Sequence, residues 1–210
     1  YPHAVSVELP VKTSASQLMR ESERTQPEAY AAHYLFDDEY GDEEPGGREA
    51  GTAYHRYLEL CDLNVRDEEG ILRELDRLTA EGKLSPEQRD MLSADRLAGI
   101  LAMPVFARLA GARIFREREF LCALPARDVL DTAATDKVLV QGAIDLLAES
   151  REGLTIVDYK YVSMPQEAML KKYTRQLELY KKAVAMIESV DESTIAVCLV
   201  DLKRRREFYL

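Results

Sequence analysis

Three ionisable residues interrupt apolar stretches of the kind that normally fill a core. Asp145 lies within Gly142-Ala-Ile-Asp-Leu-Leu147, and Asp158 and Lys160 close Ile156-Val-Asp-Tyr-Lys160. Both stretches read as strands, and Glu152-Gly153 between them reads as the turn of a hairpin. A period of two puts Asp158 and Lys160 on one face, ~6–7 Å apart along the strand. The hairpin can bring Asp145 across from Asp158. Two carboxylates held together away from water repel, and one lysine offsets only part of that repulsion. A divalent cation between them removes the conflict, and hard oxygen ligands suit Mg²⁺ or Mn²⁺. Taken singly, a strand aspartate is also an edge or turn residue and Asp-x-Lys also a surface ion pair. The two motifs together, 13 residues apart, are much less common.

The elements around these residues follow from periodicity and caps. Val138–Glu149 and Leu154–Tyr161 are the two strands, preceded by a partly alternating strand at Arg113–Leu124. Leu170, Tyr173, Leu177, Tyr180, Val184 and Ile187 step by three and four, so 165–188 is an amphipathic helix. Thr194–Leu202 is a nearly unbroken apolar run, as in a strand buried on both faces. Upstream, Gly51–Cys61 reads as a helix, and two or three more fill 67–110. Leu72, Leu75 and Leu78 mark one, Ser85-Pro86-Glu87 opens another, and Met103-Pro104 restarts a third. Ser14-Ala-Ser-Gln17 has the form of a capping box after an extended lead-in. The expected fold is α/β (mixed α+β), a mixed sheet flanked by helices.

Composition limits the function classes. The 210 residues are 46% hydrophobic and 31% charged, ordinary values for a chain that buries a core. No apolar run approaches the ~18 residues of a membrane-spanning helix, and YPHAVSVELPVK lacks the layout of a secretory leader. The start at Tyr1 rather than Met suggests a piece of a longer polypeptide. Cys61, Cys122 and Cys198 are too few and too scattered for a disulfide framework, which fits a reducing, cytoplasmic setting. The net charge of −10 does not exclude a nucleic-acid partner, because its distribution is uneven. Residues 1–50 hold four Lys/Arg against eleven Asp/Glu, whereas residues 111–210 hold sixteen of each. Seven acidic residues crowd the stretch FDDEYGDEEPGGRE at 36–49, which reads as a mobile linker or loop. The domain expectation is a lead-in helix and acidic loop over 1–50, then one unit over 51–210 with a helical insertion at about 67–110.

The strand pair resembles the active-site core of the PD-(D/E)XK nuclease superfamily in its RecB-type form. Gly51-Thr-Ala-Tyr-His55-Arg-Tyr-Leu-Glu59 is similar to the family's G-x-x-x-H-x-x-L-E helix. Tyr173-Thr-Arg-Gln176-Leu-Glu-Leu-Tyr180 is similar to its Y-x-x-Q-L-x-x-Y helix, and Arg118-Glu119-Phe120 more loosely to its E-x-x-F/L strand. The lead-in Leu9–Leu18 resembles the segment before the nuclease domain in helicase–nuclease subunits of the AddA type. The resemblance covers roughly residues 10–202, with its blocks in the family's order. After Asp158-Tyr-Lys160, where many relatives have Thr and an acidic residue, this chain has Tyr161-Val162.

The resemblance implies a restriction-endonuclease-like core, with an N-terminal helical region, that hydrolyses phosphodiester bonds in DNA. It implies His55, Asp145, Asp158 and the main-chain carbonyl of Tyr159 as ligands of Mg²⁺, for which Mn²⁺ could substitute. It implies that Lys160 acts on the attacking water and the phosphate, and that Gln176 and Tyr180 orient the site and the DNA backbone. Lys171, Lys172 and Arg175 make 165–182 net basic and mark the side that DNA approaches. The implied partners are a DNA strand emerging from a helicase, upstream helicase domains of the same polypeptide, and a second nuclease/helicase-like subunit of AddB type, in the bacterial cytoplasm and without a membrane. No iron–sulfur cluster is expected from three scattered cysteines. No ATP site is expected either, since no GxxxxGK[ST] run occurs. The alternative is a catalytically silent DNA-binding or scaffold module on the same fold.

Overall fold

The computed structural model describes residues 9–14, 17, 46–130 and 132–210. In chain order the elements are β1 (Lys12–Ser14), α1 (Gly47–Leu60), α2 (Glu68–Ala80), α3 (Pro86–Met91), α4 (Ala94–Leu101), α5 (Pro104–Arg108), β2 (Arg113–Pro125), α6 (Ala126–Val129), β3 (Lys137–Ser150), β4 (Gly153–Lys160), α7 (Gln166–Glu188), β5 (Ile195–Asp201) and β6 (Arg206–Tyr209).

Local chemistry sets the helix boundaries. α1 begins at Gly47, four residues earlier than the apolar pattern suggests, because Gly46 takes a left-handed φ of 81° at its N-cap. Four helices, not two or three, fill 67–110, since three stop-and-start signals fall close together. Asp67 caps the Gly70 N–H of α2, Ser85 and Gln88 form a capping box on α3, and Ser93 caps the Arg96 N–H of α4. Pro104 then occupies the first turn of α5. On α2 the inward face is Ile71, Leu75 and Leu78, whereas Leu72 is exposed. On α7 the stripe holds from Tyr173 to Val184, but Ile187 has left the core at the last turn. The Ser14 hydroxyl accepts the Gln17 N–H at 3.0 Å, as in a capping box. The helix it would open, and all but the end of the acidic run at 36–49, lie outside the described residues.

The six strands form one mixed sheet. β2 runs antiparallel along β3 from Arg113↔Glu149 to Pro125↔Lys137 and so occupies one whole edge of it. The other edge of β3 is shared: β4 pairs antiparallel with residues 146–150, and β1 pairs parallel with residues 139–141. Between these two blocks, residues 142–145 have no strand partner on that edge among the described residues. The sheet forks there. Beyond β4 lie β5, parallel to it, and then β6, antiparallel to β5. The lead-in thus contributes a strand to the sheet, and β6 is too short and polar to announce itself in the sequence.

Each face of the sheet carries its own core. α1 to α5 pack Tyr54, Tyr57, Leu75, Leu78 and Phe106 against Leu146, Val157, Tyr159, Cys198 and Val200. α7 packs Tyr173, Leu177, Tyr180 and Val184 against Ile144, Leu147, Ile156, Val197 and Leu199. β5 is therefore covered on both faces, as its unbroken apolar run requires.

The alternation slips once. Ile144 faces α7 while Leu146, two residues on, faces α1; on β2, Phe120 and Phe115 both pack toward α7. Pairing passes from Arg116↔Leu146 to Arg118↔Ile144 and skips Glu117 and Asp145, which the register sets opposite each other. Glu117 has a left-handed φ of 46°, so the slip is a local backbone kink, with one residue on each strand unpaired and no residue inserted, that re-aims the side chains on either side of it. Gly142 lies near it for a steric reason. A Cβ there would sit 2.8 Å from the Phe120 ring, whose neighbour Tyr180 packs edge-on at 5.6 Å. Gly142→Ala should therefore destabilise the fold by about 1–3 kcal/mol through overpacking. Denaturant unfolding checks this, and in the Phe120→Leu background the cost should fall by more than half.

Candidate active site

The fork and the slip deliver functional groups to one place from both faces of the sheet. Where β4 leaves β3, the Asp145 side chain takes over the backbone's role: its Oδ2 accepts the Tyr159 N–H at 2.6 Å. An extended residue directs its N–H and C=O to the same edge, so the Tyr159 carbonyl also faces the fork. From the α1 side, His55 is buried among the helix's inner residues, its ring edge-on to Tyr159 at 5.7 Å. Its Nδ1 lies 3.6 Å from Asp145 Oδ1. Arg116 ties β2 to the end of α1 by donating to the Glu59 carbonyl at 2.8 Å. The next residue, Glu117, is turned by its left-handed backbone toward the same point. One ligand atom from each of His55, Glu117 and Asp145 lies within 4.8 Å of the others.

From the α7 side come Asp158 and Lys160, on the strand face that carries Ile156. Continuing the register past Leu146↔Val157 sets Asp145 opposite Asp158. Lys160 Nζ is 2.9 Å from Asp158 Oδ2, with both side chains almost wholly buried. The ammonium also lies over the Tyr173 ring, 4.9 Å from its centroid. One turn along α7, Gln176 Nε2 donates to Tyr180 Oη at 3.0 Å. The buried Gln176 Oε1 and Tyr159 Oη have no hydrogen-bond partner among the described residues.

These groups are strongly perturbed. Burial, reinforced by the Lys160 charge, lowers the His55 pKa to about 3, which leaves a neutral imidazole with a lone pair to offer. Burial raises Asp158 to about 6 despite Lys160, and the Asp145 charge adds to the rise. Glu117 rises to about 8, first by burial and then by Asp145 and Glu59. Burial alone would depress Lys160, but Asp158 and Asp145 outweigh it and hold the ammonium charged. Neutral imidazole, carboxylate oxygens that repel one another and a carbonyl form the donor set that a hard divalent cation satisfies.

The structure brings His55 and Asp145, with the Tyr159 backbone, to the fork. Asp158, Lys160, Gln176 and Tyr180 lie beside it on the α7 face, and Asp158, predicted as a ligand, pairs with Lys160 and is outside the group of ligand atoms formed by His55, Glu117 and Asp145. The basic residues of α7 divide. Lys172 reaches over the Tyr173 ring at 5.7 Å, the ring that Lys160 also meets. Lys171 and Arg175 line a separate hollow with Asp128, Glu178 and Lys182, and Arg175 donates to the Val129 carbonyl at 2.9 Å. Glu117 is the residue that the sequence reading missed. The E-x-x-F spacing is met by Glu117 and Phe120, whereas Glu119, within the block that was matched, is exposed.

A six-stranded mixed sheet flanked by helices, forked at a His/Asp/Glu cluster with an Asp-x-Lys strand, is the architecture of one class of nucleases. The family model of the PD-(D/E)XK nuclease superfamily matches residues 14–208, and the chain belongs to that superfamily. It is also similar to curated proteins whose name makes them the A-type subunit of an ATP-dependent helicase/nuclease. The protein of that name from Carboxydothermus hydrogenoformans is 32% identical over 201 residues, covering 89% of this chain and 16% of the relative. Those from Heliobacterium modesticaldum and Geobacillus thermodenitrificans are 33% and 30% identical over 168 and 154 residues, with 74% and 66% of this chain covered and 12% of each relative. The chain therefore spans about a sixth or less of the length of these relatives.

The raised carboxylates carry a consequence for stability. Their protonated forms are favoured by folding, so their cost is absent below the unfolded value near 4 and fully present above the folded value. Without metal, the fold should lose stability as pH rises from about 4.5 through 8, as Asp158 and then Glu117 ionise. Glu117→Gln should remove the upper part of that loss, on the order of 1 kcal/mol or more at pH 9, with little effect at pH 5. Thermal unfolding in EDTA across this range is the measurement.

Proposed function

We propose that this chain is the nuclease unit of a helicase–nuclease, hydrolysing phosphodiester bonds at DNA ends during double-strand-break repair and recombination. The observation that carries the reading is the convergence of His55, Glu117 and Asp145 on a fork beside the buried Asp158–Lys160 pair. His55, Asp145, Asp158 and the Tyr159 carbonyl would hold Mg²⁺, or Mn²⁺ in its place, with Glu117 as a further carboxylate. When bound, the ion supplies electrophilic polarisation of the phosphate and a more acidic water.

The chain's own residues do the rest. Lys160 shares Asp158's face but cannot ligate a cation, so its ammonium is left to the attacking water and the phosphate oxygens. The Tyr173 ring and Asp158 fix its position. Gln176 and Tyr180 form one hydrogen-bonded unit that orients this face and meets the DNA backbone. Lys172, with Lys171 and Arg175 behind it, marks the α7 side as an approach for phosphates. The Asp145 carboxylate holds β4 in place through the Tyr159 N–H.

The names of the similar proteins support a setting in which helicase domains of the same polypeptide deliver a DNA strand, alongside a second nuclease/helicase-like subunit of AddB type. That setting is the bacterial cytoplasm. Among the described residues no helix is long and apolar enough to cross a membrane. Residues 51–210, with the start of α1 at Gly47 and the strand β1 that joins the same sheet, would form the nuclease unit, with the helices of 67–110 as an insertion. A silent scaffold on this fold has no need of five buried or half-buried ionisable groups, His55, Glu117, Asp145, Asp158 and Lys160, gathered at a cost to stability, which favours the active reading.

Two variants separate the roles. Asp158→Ala should abolish cleavage of linear DNA and weaken Mn²⁺ binding, and it should raise the stability of the metal-free protein by removing a repelled carboxylate. Lys160→Ala should leave Mn²⁺ binding largely intact yet lower turnover on the order of a hundredfold or more. Calorimetric titration with Mn²⁺ beside a nuclease assay reads both. Cleavage by Lys160→Ala at the wild-type rate would reduce the Asp-x-Lys motif to an ion pair.

A further inference from the structure

The β5–β6 turn carries four consecutive basic residues, Lys203-Arg-Arg-Arg206, which the reading of the site leaves unused. Their place in the fold follows from strand direction. β4 and β5 are parallel and end at the same edge of the sheet, where Lys160 pairs with Asp201 and the Leu202 N–H donates to the Lys160 carbonyl at 2.9 Å. The turn therefore begins one strand away from Lys160. The fork lies on the other side of β4, about two strand spacings or ~10 Å from the turn.

The turn is held firmly on two sides. Arg96 of α4 donates to the Lys203 carbonyl at 2.7 Å, and Arg205 lays its side chain over Gly99 of the same helix, where a Cβ would come within 2.6 Å of it. Arg205 takes a left-handed φ of 55°, which sharpens the turn. On the other side Arg204 donates to the Val162 carbonyl at 3.2 Å, and Lys203 Nζ is 2.6 Å from Ser163 Oγ. Lys203 also lies over the Tyr161 ring at 4.9 Å, and that ring stacks on Tyr54 at 4.8 Å. Both Val162 and Ser163 belong to the loop that leaves the Asp-x-Lys strand.

The nearby carboxylates do not neutralise this surface. Asp201 is buried and taken by Arg204 at 3.0 Å, and Glu207 accepts the Val105 N–H at 2.8 Å and faces Arg108 at 3.9 Å. Arg205 and Arg206 are exposed and form no ion pair with a carboxylate among the described residues; the Arg206 guanidinium donates to Gln166 Oε1 at 3.5 Å. A fixed cluster of exposed arginines beside a lysine-capped aromatic ring fits a single-stranded nucleic-acid backbone.

We propose that the Lys203–Arg206 turn grips the phosphates of a single strand next to those at the fork, and so sets how the strand lies across Lys160. The proposal rests on the nuclease reading, and its test separates the two. The full chain would be titrated with a fluorescein-labelled oligo-dT in EDTA, which prevents cleavage, over a series of salt concentrations. Arg205→Gln/Arg206→Gln should weaken binding about tenfold at low salt and shallow the log–log salt slope by about 1.4, the value for two lost contacts on a single strand. Arg113→Gln/Arg151→Gln removes the same charge at the opposite end of the sheet and should leave the slope unchanged. Arg206→Gln alone should give about half the change, and it keeps the test open if losing the Gly99 packing unfolds the double variant. Arg205→Lys/Arg206→Lys should retain the slope. Wild-type slopes in the Gln variants, or a slope lost equally in the Lys variant, overturn the proposal while leaving the nuclease reading intact. A wild-type chain that binds no oligo-dT overturns the proposal, while the nuclease reading stands or falls on the cleavage of linear DNA.

Discussion

The organisation of the molecule depends on one hydrogen bond, from the Tyr159 N–H to the Asp145 carboxylate. At every earlier step of the hairpin β3 and β4 satisfy each other's backbones. At Asp145 a side chain intervenes, and a buried N–H that would otherwise be costly to strand is satisfied without the neighbouring backbone. β3 is then free to diverge toward β1, and the gap that opens is lined by groups a continuous ladder would have used up. A cleft in a sheet usually requires a strand to end. Here both strands continue, and the cleft comes from exchanging one acceptor for another.

Holding the fork open concentrates charge where water is scarce, and this weakens the fold locally. Two separate cores offset that cost. The α1 face supplies tyrosines, leucines and Phe106 behind His55, and the α7 face supplies Tyr173, Leu177 and Tyr180 around Lys160. Each core buries the apolar area of many side chains, at ~25 cal/mol per Å², while the charged groups occupy only the seam between them. The arrangement also explains why polar groups at the seam come in pairs. Gln176 with Tyr180, Asp158 with Lys160 and Asp145 with Tyr159 each pair before any ligand is present, although Gln176 Oε1 keeps unused acceptor capacity.

Much of this was legible in the sequence because it rests on short-range rules. The period of two put Asp158 and Lys160 on one face, and the three-and-four stepping of α7 aligned Gln176 with Tyr180. Ser85 and Pro104 marked helix starts that the structure keeps. Glu117 was hidden because period-two reasoning assumes an unbroken strand, and the residue reaches the site only through a left-handed kink that reverses the alternation. Similarly, Leu72 looked as apolar as Leu75, and only the way α2 packs against α4 decides that Ile71 is inside. The strands β1 and β6, three and four residues long, owe their existence to partners far along the chain. A local window holds no trace of that.

The fork has a mechanical meaning as well. The portion of β3 that bears β1 and the portion of the sheet made of β4, β5 and β6 behave as two prongs joined along residues 146–150. β2, which follows β3 along its whole length, stiffens one prong but does not reach the other. Asp145 sits at the crotch, and Asp158 begins the free part of the second prong. The repulsion between these two carboxylates pushes the prongs apart, so whatever neutralises either charge relaxes the gap.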